Sequence, residues 1–235
     1  MFVTAFNGSP KKNSNTMQIT NSFLSGMTMS SEHEIVVNNV RDKDIQFCEG
    51  CMKCWITGSG KCVINDDMNE ILSQLIKSDV IIWSFPLYVH GIPAKLKAVL
   101  DRTIPLLKAE ISIRENVFYH EYLNDKMNNT KHIVICGCGF PPFEQNFASL
   151  ETQFKTYFGA NVTMLCIYET PLLSFPGAEP LTHNLLGNFK NAGSEFSKTG
   201  NFSESTLHEL RKPMLPSDKY IPLYNDVMDK IRASV

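Results

Sequence analysis

The apolar residues of the first part of the chain recur at two alternating spacings. Residues 1–6 (MFVTAF) form a short apolar run that stops at Asn7-Gly8, which predicts a buried strand. The polar stretch 7–15 predicts a loop, and beyond it Thr16, Ile19, Phe23 and Met27 fall at helical spacing. Residues 33–40 (HEIVVNNV) read as a second strand, and the Gly- and Cys-rich stretch 41–65 as an irregular loop. Asp66 or Asp67 can cap a helix whose Met68, Ile71, Leu72, Leu75 and Ile76 make one apolar stripe. Residues 80–83 are continuously apolar, as buried parallel strands tend to be. Pro93 then opens a helix with Leu96, Val99, Leu100 and Thr103 on one face. Residues 108–130 break the rhythm and predict an insertion, with alternation around 109–123 that suggests a hairpin turning near Arg114-Glu115-Asn116. Residues 132–136 predict a fourth strand, Phe147, Leu150, Phe154 and Phe158 a helix ending at Gly159, and residues 162–168 a fifth strand. From about 171 the tail offers helices near 180–198, 203–211 and 217–232, separated by Pro213 and Pro216. Strand and helix alternating at this spacing call for an α/β fold with a parallel sheet covered on both faces.

Composition narrows the function classes. The chain of 235 residues is 43% hydrophobic and 20% charged, ordinary for one large domain or a domain with an extension. Its 22 Lys and Arg against 24 Asp and Glu give a net charge of −2, the wrong sign for neutralising a phosphate backbone or anionic lipid. No nucleic-acid or membrane partner is therefore expected. The most apolar stretch, 80–94, is broken by Pro86, His90 and Pro93, so no transmembrane helix is predicted. The N-terminus places its lysines after the apolar segment, the reverse of a signal peptide. The seven cysteines are odd in number and four crowd into 48–62, which suits a reducing cytoplasm better than a secreted disulfide scaffold.

In an open α/β sheet, ligands bind beyond the carboxyl ends of the strands. The first such end here is Asn7-Gly8-Ser9-Pro10-Lys11-Lys12-Asn13-Ser14-Asn15-Thr16, a loop rich in hydroxyls and amides that feeds directly into a helix. It offers backbone N–H groups, the Ser9 and Thr16 hydroxyls, a helix N-terminus and the Lys11 charge to a dianion, or else it is a capped polar turn. The loop lacks the G-x-G-x-x-G pattern of dinucleotide sites. The Gly58-Ser59-Gly60-Lys61 stretch is not a P-loop either, since Trp55 stands where its first Gly would be and Cys62 follows the lysine.

The cysteines Cys48, Cys51, Cys54 and Cys62 read C-x2-C-x2-C-x7-C. Three thiols three residues apart in a loop are ferredoxin-like, with a fourth arriving from nearby, so a 4Fe–4S cluster is the preferred metal. Structural zinc more often uses two separated C-x2-C pairs. Free thiols packing a loop over the sheet, or a redox-active disulfide, are the other readings of the same residues. Cys136 and Cys166 lie inside predicted strands and read as small core hydrophobes.

The loop from Gly8 to Thr16 resembles the phosphate loop of the flavodoxin-like NADPH-dependent FMN reductases, a family that includes the iron–sulfur flavoproteins. Three further segments match in order: Cys48 to Cys62 running into Asp66-Asp67-Met68, Pro86 to Lys97 closing on Asp101-Arg102, and Cys138-Gly139-Phe140-Pro141. The resemblance covers residues 1–170. It implies a flavodoxin-like three-layer sandwich with a five-stranded parallel sheet in order 2-1-3-4-5, followed by a helical C-terminal extension over 171–235. It further implies FMN, with the phosphate held by Ser9, Lys11, Asn15 and Thr16. Lys11 stands where the family usually has Arg, so it keeps the charge and loses the bidentate fork. Pro86, Leu87, Tyr88, Val89, His90 and Gly91 would wrap the isoalloxazine ring, and Cys138, Gly139 and Phe140 would close its other side. Asp101-Arg102 is expected to be a structural ion pair or a subunit contact.

The expected activity is NAD(P)H-dependent reduction of FMN, with electrons passed to a flavin, quinone or nitroaromatic. No side-chain acid or base is obligatory for it. The alternative is an iron–sulfur flavoprotein in which Cys48, Cys51, Cys54 and Cys62 hold a 4Fe–4S cluster that exchanges single electrons between a ferredoxin and FMN. A third reading is a thiol or zinc sensor on the same scaffold. The family implies a homodimer or homotetramer, with the 108–130 insertion either a flap over a neighbouring flavin or an edge or dimer contact.

Overall fold

The computed structural model describes residues 1–114 and 116–234. Strands β1 (Phe2–Asn7), β2 (Glu34–Asn39) and β3 (Val80–Pro86) are the first three predicted strands. An antiparallel hairpin of β4 (Leu107–Arg114) and β5 (Val117–Tyr122) intervenes before β6 (Lys131–Gly137) and β7 (Val162–Ile167). The main sheet is wholly parallel in the order β2-β1-β3-β6-β7. Counted without the hairpin, this is the expected order 2-1-3-4-5. The hairpin forms its own two-stranded ribbon and does not extend the edge of the main sheet. Its turn was expected at Arg114-Glu115-Asn116, and Glu115 lies outside the described residues.

Side chains alternate across a strand, so each central strand feeds two cores. Ile81, Trp83 and Phe85 of β3 meet α3 (Met68–Lys77), α4 (Ala94–Asp101) and α5 (Ala148–Phe158) on one face. Val80 and Ile82 meet α1 (Asn15–Ser30) and α6 (Glu179–Thr199) on the other. The tail from 171 is part of this second core, because Leu185, Phe189 and Phe196 of α6 and Leu210 of α7 (Glu204–Leu210) pack against Ile19, Phe23 and Met27. The last helix, α8 (Ser217–Ala233), buries Tyr220 against Leu172 and Ala178 in a small third cluster. A five-residue helix, α2 (Lys53–Thr57), lies inside the stretch expected to be irregular. Among the described residues no helix is long and apolar enough to cross a membrane.

The α1–α6 contact depends on two glycines. A Cβ at Gly26 would stand 1.8 Å from the Lys190 carbonyl oxygen, and one at Gly193 would stand 1.9 Å from that of Phe23. Either collision is with backbone, so the helices would have to separate. Gly187 of the same α6 has open space around its Cβ position. Gly193→Ala is expected to cost about 3 kcal/mol, the upper end for overpacking. Gly187→Ala should instead gain about 0.5–1 kcal/mol from helix propensity. Thermal or urea unfolding of the two variants reads both signs.

On the opposite face, His132 is buried, its ring 3.7 Å from that of Phe158, centroid to centroid. Trp83 Nε1 donates to His132 Nδ1 at 3.2 Å. Burial pushes the His132 pKa down from 6.5 to about 3, so the folded imidazole is neutral. The stability this contributes is complete above the unfolded value of 6.5 and is lost as pH falls toward 3. Acidification through that window should lower the urea midpoint, with His132 adding up to about 1.4 kcal/mol per pH unit to the slope. His132→Gln should flatten the profile over the same window.

Candidate functional site

All five parallel strands exit on one edge, and the loops there surround a cleft of roughly 900 Å³. The phosphate-loop candidate forms one wall through Ser9, Lys11, Ser14, Asn15 and Thr16. Ser14 caps α1, its Oγ accepting from Met17 N at 3.1 Å. The Ser9 hydroxyl accepts from Lys11 N at 3.2 Å, and Ser9 N donates to Asn7 Oδ1 at 3.2 Å, which fixes the turn. Among the described residues nothing accepts from the N–H groups of Asn15 and Thr16, the first two of α1. The Asn15 side chain is committed elsewhere: its Nδ2 donates to Thr170 O at 2.8 Å and its Oδ1 accepts from Ser174 Oγ at 2.8 Å.

The loop after β3 divides. Pro86, Leu87 and Tyr88 line the cleft, whereas Val89, His90 and Gly91 do not. Tyr88 and Gly91 exchange backbone hydrogen bonds across a tight turn at 3.1 and 2.9 Å. Its central residues, Val89 (φ 47°) and His90 (φ 56°), are both left-handed. Such backbone costs about 1–2 kcal/mol per L-residue, more for a β-branched one, and marks a constrained loop. Val89 is 98% exposed, so no packing explains it. His90 is anchored outward, its ring donating from Nδ1 to Asn146 O at 3.2 Å and its carbonyl accepting from Ser149 Oγ at 2.6 Å.

Beyond β6, Gly137 and Gly139 line the cleft, while Cys138 points into the core and Phe140 is exposed. Burial pushes the Cys138 thiol up to about 11, which leaves it a packing group. Gly137 has no room for a side chain, since a Cβ would sit 2.5 Å from Thr170 Cγ2.

The remaining wall comes from residues that sequence reasoning left without a role. Thr170, Pro171, Ser174 and Phe175 follow β7, and Leu223 and Tyr224 project from α8. Glu169 ties these pieces together. It is buried and left-handed (φ 59°), and its Oε2 accepts from Met214 N at 2.8 Å and Leu215 N at 2.9 Å. Burial raises its pKa, and Oε1 has no partner among the described residues. Tyr220 Oη adds a bond to Gly139 O at 2.6 Å, so α8 is moored to the strand end that floors the cleft. No spacing or motif in the tail signals either contact.

The cysteine motif forms a second feature. Cys48, Cys51, Cys54 and Cys62 all line one small cavity with Arg102, Ile104 and Pro105, and all four are free thiols. Left-handed Gly50 (φ 63°) and Met52 (φ 53°) fold the first three into a tight turn. Cys62 is held by Asn69, whose Oδ1 accepts from Cys62 N at 2.8 Å and whose Nδ2 donates to Cys62 O at 3.0 Å. Burial, with the neighbouring Cys62 and Cys51, pushes the Cys54 thiol up. Among the described residues no three Cys, His, Asp or Glu side chains form a ligand group for a single metal ion. By donor type, four cysteine thiols around one cavity suit an iron–sulfur cluster.

Arg102 closes this cavity from the sheet side. Its guanidinium is buried, with Nη1 paired to Asp66 Oδ2, Nη2 donating to Asp66 Oδ1 at 2.9 Å and Nη1 donating to Gln46 O at 3.1 Å. Burial works against the Asp66 carboxylate, but Arg102 and the N–H groups of Gln46 and Met68 outweigh it and hold its pKa below the ordinary value. The expected structural ion pair at Arg102 is therefore present, with Asp66 rather than with its neighbour Asp101. Asp101 is half exposed and pairs with Lys97.

In sequence the chain is similar to iron–sulfur flavoproteins, of which two are described. One, from Methanocaldococcus jannaschii, is 36% identical over 107 residues, 45% of this chain and 53% of that protein. The other, from Methanosarcina thermophila, is 30% identical over 117 residues, 50% of this chain and 60% of that protein. The chain thus spans about half the length of these curated relatives. In fold it is similar to an FMN-dependent NADH-azoreductase of Bacillus anthracis solved with FMN, at a TM-score of 0.62 and 16% identity over 84% of this chain and 100% of that one. An NAD(P)H:quinone oxidoreductase from Methanothermobacter marburgensis aligns at a TM-score of 0.61 and 17% identity over 83% of this chain and 98% of that one. These likenesses agree with the flavodoxin-like sheet order. The model of the NADPH-dependent FMN reductases matches residues 1–120, a stretch that holds the phosphate loop, the cysteine motif and the loop after β3, and the chain belongs to that family.

Proposed function

We propose that this chain is an FMN-dependent NAD(P)H oxidoreductase that binds FMN in the strand-end cleft. The observation that carries the reading is the pair of unpaired N–H groups at the start of α1, beside Lys11 and inside a ligand-sized cleft. When bound, FMN accepts hydride from the nicotinamide and passes electrons to a second acceptor. The chain's own part is binding and orientation. Asn15 and Thr16 present backbone N–H groups to the phosphate, and Lys11 adds its charge. Asn15 contributes through its backbone, because its amide is spent on Thr170 and Ser174. Leu87 and Tyr88 present backbone and ring from the tight turn, and Gly137 and Gly139 let the β6 end approach closely. Leu223 and Tyr224 of α8 exclude water from the open side and suit a small planar acceptor such as a flavin, quinone or nitroaromatic. The assembly is a homodimer or homotetramer in this reading. Ile111, Ile113 and Phe118 of the hairpin, exposed in the single chain, would be buried between copies. A reducing cytoplasm suits the seven free thiols in this reading.

The reading is tested by titrating the protein with FMN and with riboflavin, which lacks the phosphate. Lys11→Ala should weaken FMN about tenfold, or about 1.4 kcal/mol, and leave riboflavin unchanged. Equal loss for both flavins, or no flavin binding by the parent protein, overturns the site.

A second reading, favoured by the convergence of Cys48, Cys51, Cys54 and Cys62 on one cavity, adds a 4Fe–4S cluster and one-electron exchange with a ferredoxin. Anaerobically prepared protein should then hold iron and acid-labile sulfide as well as FMN. Cys54→Ser should lose the iron and keep the flavin. Retention of full iron by that variant removes Cys54 from the ligand set.

A further inference from the structure

Buried N–H groups are almost always hydrogen-bonded, and a native exception calls for a cause. Arg102 holds such an exception. Its side chain is 1% exposed, yet Nε has no partner among the described residues. Rotation cannot relieve this, because Asp66 grips Nη1 and Nη2 together and Gln46 O takes a further bond from Nη1. The locked fork leaves one donor edge over. Arg102 forms part of the wall of the four-cysteine cavity, and Asp66 does not. Among the described lining residues Arg102 is the one cation, beside the carboxylates of Glu49 and Asp101. Cys62 lines the same cavity as Arg102. Asn69 in turn fixes the Cys62 backbone on both its N–H and its C=O.

We propose that Arg102 is a cluster-tuning residue, its spare Nε–H donating to the Cys62 sulfur of a 4Fe–4S cluster and thereby raising the cluster's reduction potential. The inference rests on the cluster reading above. Hydrogen bonds to the sulfurs and nearby positive charge stabilise the electron that reduction adds. No covalent change is involved, since the cluster gains one electron from an external reductant such as dithionite and Arg102 keeps its protons. Asp66 serves as the positioning residue, because it aims the fork.

The test is a mediated redox titration of protein reconstituted with iron and sulfide, following cluster and flavin bands in the same sample. Removing Arg102 alone would strand a buried carboxylate, so the main variant is D66N/R102Q, which removes both charges together. R102K is the second variant, retaining a charge for Asp66 without the Nε–H. In D66N/R102Q the cluster midpoint should fall by the equivalent of about a tenfold change in the one-electron equilibrium, about 59 mV, with the flavin midpoint unmoved. R102K should fall in the same direction by less, and it decides the matter if the double variant does not fold. A cluster midpoint equal to the parent's in R102K, with iron retained, overturns the role of Arg102 and leaves the cluster reading standing. A parent protein that takes up no iron overturns the cluster reading, and this inference with it.

Discussion

Because every strand of the main sheet runs the same way, the backbone must leave it on one edge and return over a face to start again. That constraint places the loop after β1, the turn after β3 and the glycines after β6 side by side, although they lie far apart in sequence. It also dictates that the central strands be apolar on both sides, so that Ile81, Trp83 and Phe85 serve one core and Val80 and Ile82 the other. The cleft is what remains where the covering helices stop and the strand ends are left open.

One short helix links the two chemical features. The eight residues of α4, about 12 Å of helix, begin just after the strained turn of Val89 and His90 and end at Arg102. The polypeptide that frames the cleft at one end of α4 closes the cysteine cavity at the other. Leu96, Val99 and Leu100 bury the helix in the core, so both ends are held by the same packing.

Much of this was legible in the sequence because it obeys local rules. The apolar runs of β1, β3, β6 and β7, the stripe of α3 and the Gly159 stop of α5 follow from periodicity and backbone preference alone. The polar turn of residues 7–15 entering α1 was legible for the same reason. Other features depend on tertiary partners and leave no local trace. Val89 in a left-handed turn contradicts the propensity of a β-branched residue, and His90 faces outward because Asn146 and Ser149 hold it there. Asn15 fits a phosphate ligand by type, yet its amide is taken by residues more than 150 positions away. Glu169 reads as an ordinary surface acid until the Met214 and Leu215 N–H groups are seen to meet it. The short α2 starts from left-handed Met52, a conformation no helix rule anticipates.

The mooring of the tail has a consequence for how the molecule is made. The apolar stripe of α1 is covered by α6, and the cleft is walled by the segment after β7 and by α8, all of which leave the ribosome after β6. A nascent chain that has completed β6 has its loop after β1 but neither a cover for Phe23 and Met27 nor a closed wall. Such long-range closure makes for slow, late consolidation. For a protein of this topology, a truncated product would carry every recognisable motif of its family and still expose the outer apolar stripe of α1.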